Sequence, residues 1–125
     1  MKIHTRIYAL VFGLILLITA CQRENDKNPA LLGKWQGTEW LIFDKPSGQD
    51  ATRVNFEFRE DGAYAAGFGD QTEKGVWRTV GDKLYTTAEG RKEIMVKVLG
   101  VNATTLKFEM NRGGQPETIE LQKIQ

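Results

Sequence analysis

The chain has one cysteine, one histidine and three prolines in 125 residues. The histidine, His4, lies near the start, and the cysteine is Cys21. Beyond residue 21 there is neither, so no Ser-His-Asp or Cys-His arrangement can be assembled there. A zinc site built on cysteine and histidine is equally excluded, and no disulfide can form within one chain. The reading is of a protein that is not an enzyme and carries no cofactor. Charge of one sign is also lacking. Residues 1–20 hold two of the 17 Lys+Arg and no acid, which leaves 15 basic against 16 acidic residues and a net charge of −1. That balance gives no footprint for a nucleic-acid backbone, which needs a clustered basic face.

One apolar run stands out. Lys2 and Arg6 precede an uncharged, mostly apolar stretch from Ile7 to Ala20. Its 14 residues fall short of the roughly 20 that a helix needs to cross a hydrocarbon core. A positive start, a short apolar run and small residues at its end read as a cleaved signal peptide over residues 1–20. Residues 22–28, Gln-Arg-Glu-Asn-Asp-Lys-Asn, offer nothing apolar to a core. Residues 21–29 are therefore read as a flexible tether, and residues 30–125 as one domain.

Within that domain the apolar period is two. Val54, Phe56 and Phe58 alternate with Asn55, Glu57 and Arg59. The same alternation runs through Ile94, Val96 and Val98 and through Leu106, Phe108 and Met110. These are half-buried antiparallel strands. Turn residues divide them at Asp61-Gly62, Gly81-Asp82, Glu89-Gly90, 100–103 and Gly113-Gly114, with a longer turn over 45–52. The spacing predicts eight strands, at about 34–44, 53–59, 63–68, 74–80, 83–87, 91–99, 104–111 and 117–124. Short sequential strands joined by tight turns make an up-and-down meander, and eight can close into an antiparallel barrel without free edges. Asn28-Pro29-Ala30-Leu31-Leu32-Gly33 reads either as one helical turn capped by Asn28 or as a plain extended lead into the first strand.

The predicted inward set is Leu41, Phe43, Val54, Phe56, Phe58, Tyr64, Phe68, Trp77, Leu84, Ile94, Val96, Val98, Leu106, Phe108, Met110, Ile119 and Leu121. An eight-stranded barrel is just wide enough to be filled by side chains or to hold one small ligand. Both readings stand on the residues alone. If there is a pocket, its wall is Phe56, Phe58, Tyr64, Phe68, Trp77, Phe108 and Met110, with Tyr64 and Trp77 as polar contacts because each carries a donor on an apolar ring. Trp35 is expected to close the barrel floor. Trp40 and Ile42 fall opposite Leu41 and Phe43, and would pack under a loop or dock a partner. The acidic residues sit in turns (Asp50, Asp61, Asp70, Asp82) or on outward positions (Glu57, Glu93, Glu109), as a solvated face.

Two resemblances add to this. Leu17-Ile18-Thr19-Ala20-Cys21 resembles the lipobox of bacterial lipoproteins. It implies cleavage before Cys21, lipid on that cysteine, and attachment to the membrane of the cell envelope. Gln22, in place of an inner-membrane retention residue, favours the outer membrane. The domain is similar to the small lipocalin-like lipoproteins of Gram-negative bacteria. Leu32-Gly33-Lys34-Trp35, the hairpin from Phe56 through Asp61-Gly62 to Tyr64, and Gly75-Val76-Trp77 followed by Leu84 carry the likeness. It implies an eight-stranded lipocalin-like barrel that binds a small apolar or amphipathic molecule. The alternative is a filled barrel serving as an envelope protein–protein or inhibitor module.

Overall fold

The structure, a computed structural model, describes residues 27–125. The signal peptide, the lipobox with Cys21 and most of the tether lie outside the described residues. Nine strands run in chain order: β1 (Gly33–Ile42), β2 (Lys45–Pro46), β3 (Val54–Phe58), β4 (Ala63–Phe68), β5 (Gln71–Val80), β6 (Lys83–Ala88), β7 (Ile94–Val101), β8 (Thr105–Arg112) and β9 (Gln115–Lys123). Each wall strand from β3 to β9 pairs antiparallel with its neighbour, β1 pairs with β3, and β9 returns to pair with β1. The result is a closed eight-stranded up-and-down barrel. The two-residue β2 only extends β1 as a hairpin. Closure leaves no long edge free to template aggregation.

Alternation dictates what fills the barrel. Val54 and Phe58 on β3, Tyr64 and Ala66 on β4, Trp77 on β5, Leu84 on β6, Leu106 and Phe108 on β8, and Ile119 and Leu121 on β9 are all buried. Thr79 and Thr86 share this inner face. Among the described residues the buried core runs from Leu31 to Leu121.

One end is shut. Pro29–Leu31 forms a 3-10 turn, with the Asn28 side chain accepting from the Ala30 N–H at 3.0 Å. Leu31 and Trp35 are both 0% exposed, and the Trp35 indole N–H donates to the Leu31 carbonyl at 2.9 Å. The Asn28 N–H crosses to Thr79 Oγ1 at 2.9 Å. Trp35 thus pins the lead-in turn across the barrel floor. The Trp77 indole N–H donates to the Arg59 carbonyl at the same end, at 2.9 Å.

Two bulges and two strand starts depart from the predicted pattern. The register of β1 against β9 shifts between Gly37 and Glu39, so Thr38 is an extra residue. An extra residue turns every later side chain to the other face. Trp40, paired with buried Ile119, therefore packs against the core, and it is not part of an outward pair with Ile42. Leu41 and Phe43, expected inside, are not. Leu41 pairs with Thr118 on the outer face, and Phe43 is 58% exposed beyond the strand end at φ +50°. A second bulge at Leu99 carries β7 on to Val101. Ile94, also expected inside, is 55% exposed because β6–β7 pairing begins only there. Residues 91–93 are accordingly not strand, and β5 starts at Gln71 instead of 74. A 3-10 turn at Ala51–Arg53, capped by Asp50, was not predicted. It lies so close to β1 that a Cβ on Gly37 would stand 2.1 Å from the Ala51 carbonyl oxygen.

Candidate functional site

The inner face changes along the barrel axis. At the closed end Leu31, Trp35, Phe58, Leu84, Leu106 and Leu121 are buried outright. Toward the other end, where Ile42, Val54, Phe68, Ala88, Ile94 and Arg112 meet the loops, Phe68 and Met110 are only half covered and Ile94 is 55% exposed, while Val54 and Ala88 stay buried. Phe56, Phe68 and Met110 pack on the core without being buried. This open end is the candidate site.

The residues expected to form a pocket wall divide across that boundary. Phe58, Trp77 and Phe108 are close-packed in the interior. Phe58 lies 5.2 Å from the Trp77 ring and 6.5 Å from Phe108, centroid to centroid. The Trp77 donor already serves Arg59, so it has no proton to offer a ligand. Phe56 bridges to the upper level: it stacks on Phe58 at 5.7 Å and meets Phe68 and Phe108 edge-on at 5.6 and 5.5 Å. Phe56, Phe68 and Met110 form the half-buried apolar floor of the open end. Edge-to-face packing fixes these rings in place.

Tyr64 belongs to a different neighbourhood. With Glu73, Thr86, Ala88, Arg91, Lys92 and Ile94 it lines a cavity of about 250 Å³. A wider cleft of about 510 Å³ shares Glu73, Ala88 and Arg91 and adds Asn55, Ala65, Ala66, Thr72, Lys74 and Glu89. Gly75 makes room for the wall: a Cβ there would stand 1.9 Å from the Thr87 carbonyl oxygen, so only glycine lets β5 and β6 approach this closely. Arg91 closes over the cavity and pairs with Glu73 at 3.5 Å.

Burial is the main reason that the Tyr64 hydroxyl is held above the ordinary tyrosine value, and the nearby Glu73 carboxylate adds to it. Thr86 and Glu73 are the hydrogen-bond partners of that hydroxyl. A raised pKa means that the unfolded chain loses this proton first. Stability from Tyr64 is therefore complete below pH 10.0 and falls as pH climbs through the folded-state value. In an ultraviolet titration, Tyr64→Phe should remove a component that ionises above the ordinary tyrosine range. An unchanged titration curve would contradict this placement.

A second interior carboxylate lies on the β8–β9 side. Glu117 is buried beside Met110, to which it is paired in register. Its Oε1 accepts from the Trp40 indole N–H at 3.3 Å, and its Oε2 lies 3.2 Å from Arg112 Nε without an aligned hydrogen bond. Trp40 also lines a cavity of about 210 Å³ under the 43–53 loop, with Gln49, Asp50, Arg53, Val54, Phe68 and Gly69.

Glu73, Thr86 and Glu117 were not among the residues singled out in the sequence. Period two does place them: Glu73 counts back from Trp77, Thr86 sits between Leu84 and Ala88, and Glu117 counts back from Ile119. Among the described residues no group of histidine, cysteine and acidic side chains could hold a metal ion.

Comparison with known proteins adds the following. A solved lipocalin-like protein from Bacteroides uniformis superimposes with a TM-score of 0.59 at 17% identity, over 76% of this chain and 99% of that one. That likeness is one of fold. No protein of curated function matches the sequence. The lipocalin-like domain family matches residues 31–108, from the floor turn through Phe108 on β8, and the chain belongs to that family.

Proposed function

We propose that this protein binds a small apolar or amphipathic molecule, without covalent chemistry, in the open end of its barrel. The observation that supports the reading is the pair of cavities at that end of the barrel. Phe68, inward and half-buried, lines one of them, Tyr64 and Ile94 line the other, and both contain polar side chains. Apolar surface left open at the inner face of a barrel gains by being covered, at about 25 cal/mol per Å². A few polar groups beside an apolar floor are the usual means of orienting a small ligand. The proposal extends to location: lipid on Cys21 holds the domain at the cell envelope, on the outer membrane.

An uncharged solvatochromic dye, titrated into residues 22–125, tests the binding reading. A saturable blue shift with one site is expected, and Phe68→Arg at the rim should weaken it by about tenfold or more, as expected for charge placed against apolar surface. The absence of saturable binding would overturn the proposal.

A further inference from the structure

The open end contains two carboxylates that point inward from opposite walls, Glu73 on β5 and Glu117 on β9. Their side chains are only 17% and 5% exposed. Each is met by an arginine from the rim, Arg91 at 3.5 Å and Arg112 at 3.2 Å, and those side chains are 70% and 62% exposed. The asymmetry matters. The acids are fixed in the wall, whereas the arginines lie in water and can leave.

Three kinds of ligand head can be weighed against this arrangement. An anion would compete with the carboxylates for the arginines and leave a buried negative charge unpaired, which is costly. A neutral head would leave both pairs as they are. A cation would take over an arginine's place. The carboxylate stays paired, and the displaced arginine, already 70% exposed, returns to water at little cost. The cavity at Glu73 suits such a cation further. A primary ammonium carries three donors, and the Glu73 carboxylate with the Tyr64 and Thr86 hydroxyls provides acceptors in one cavity of about 250 Å³. Ala88 and Ile94 supply apolar wall. Lys92, the other cation there, is exposed at the rim, where water screens it.

We propose that the open end takes a small cationic amphiphile, a primary amine on a short apolar body, whose ammonium group replaces Arg91 at Glu73. This rests on the binding reading above and specifies its ligand class.

The test is displacement of the bound dye from residues 22–125 by n-octylamine, n-octanol and n-octanoate, which share a chain and differ in charge. Octylamine should displace the dye at about tenfold lower concentration than the other two, the size expected of one partly desolvated charge pair. Glu73→Gln should abolish that advantage and leave octanol unchanged. Arg91→Ala removes the internal competitor and should sharpen the preference for octylamine several-fold, which loss of structure would not do. Octanoate displacing as well as octylamine would overturn the inference, as would an amine preference that survives Glu73→Gln. Loss of the preference only in Glu117→Gln would overturn the assignment to Glu73. Dye binding with no preference among the three defeats this inference alone, whereas failure of the dye to bind defeats the binding reading with it.

Discussion

Replacing Trp35 with alanine should cost the domain about 3–5 kcal/mol, the range for deleting a large aromatic from a packed core. Trp35 is 0% exposed and closes the floor from β1. Its removal also breaks the indole bond to the Leu31 carbonyl and loosens the turn that Asn28 caps. Lys123, whose ammonium lies 5.5 Å from the ring centroid, loses its platform. Nothing can collapse into the gap easily, because Leu31, Phe58 and Leu121 are already fully packed. Domains of this size have only about 5–15 kcal/mol in hand, so a large share of the stability should go. Thermal unfolding followed by circular dichroism checks this, with a fall in Tm of more than about 10 °C expected. Trp40→Ala is the control, and its loss should be smaller because Trp40 is only partly buried. Equal losses for the two would mean that the floor is not the anchor of the core.

The second large effect concerns location. Cys21→Ala should remove the acyl mass from the protein and release it from the membrane fraction. One acyl chain binds a bilayer marginally, whereas two or more hold it stably, at about 0.8 kcal/mol for each buried CH₂. Lipid on both the thiol and the new amino group of Cys21 would therefore separate tight from absent binding. Residues 22–28 span at most about 25 Å when extended, so the anchored barrel would work close to the lipid surface. A Cys21→Ala protein that stays membrane-bound would refute the lipid-anchor proposal. Mass spectrometry of the intact protein and fractionation of the envelope measure the two halves of this expectation independently.

The legible and illegible parts of this fold separate on physical grounds. Strands such as 54–58 and 105–112 alternate cleanly because one face is in the core and the other in water, so their inward residues can be counted from the sequence. The floor was legible in part: Trp35 was expected to close it, whereas the residues from Asn28 to Gly33 fitted either a turn or an extended lead, and the turn is what forms. Bulges defeat counting. Thr38 has no composition that marks it as extra, and it turns Trp40 inward and Leu41 outward. It is held by its hydroxyl bond to the Glu120 carbonyl at 3.2 Å and by the pairing of Gly37 and Glu39 on either side of it, both of which arise once β9 has come round to close the barrel. The 3-10 turn at 51–53 was hidden for a similar reason. It needs Gly37, fourteen residues earlier, to admit it against β1.

The polar part of the site was hidden by expectation of a different kind. Acidic residues on a strand are usually outside, and most of those here are. Glu73 and Glu117 break that rule at the end of the barrel where packing gives way. Their cost is met by Arg91 and Arg112, which come from outside their strands and whose approach only the closed barrel defines. The aromatic residues were visible as a set, but not their division. Which rings fill the interior and which face the opening depends on depth along the axis, and alternation says nothing about depth.

Ligand binding at the open end is tested most directly by a native mass spectrum of the protein isolated from the cells that make it. The prediction is a second species, heavier than the bare chain by one small molecule, that disappears when the protein is unfolded. A single species at the mass of the chain, with or without covalent lipid, unchanged when the protein is unfolded, would contradict it.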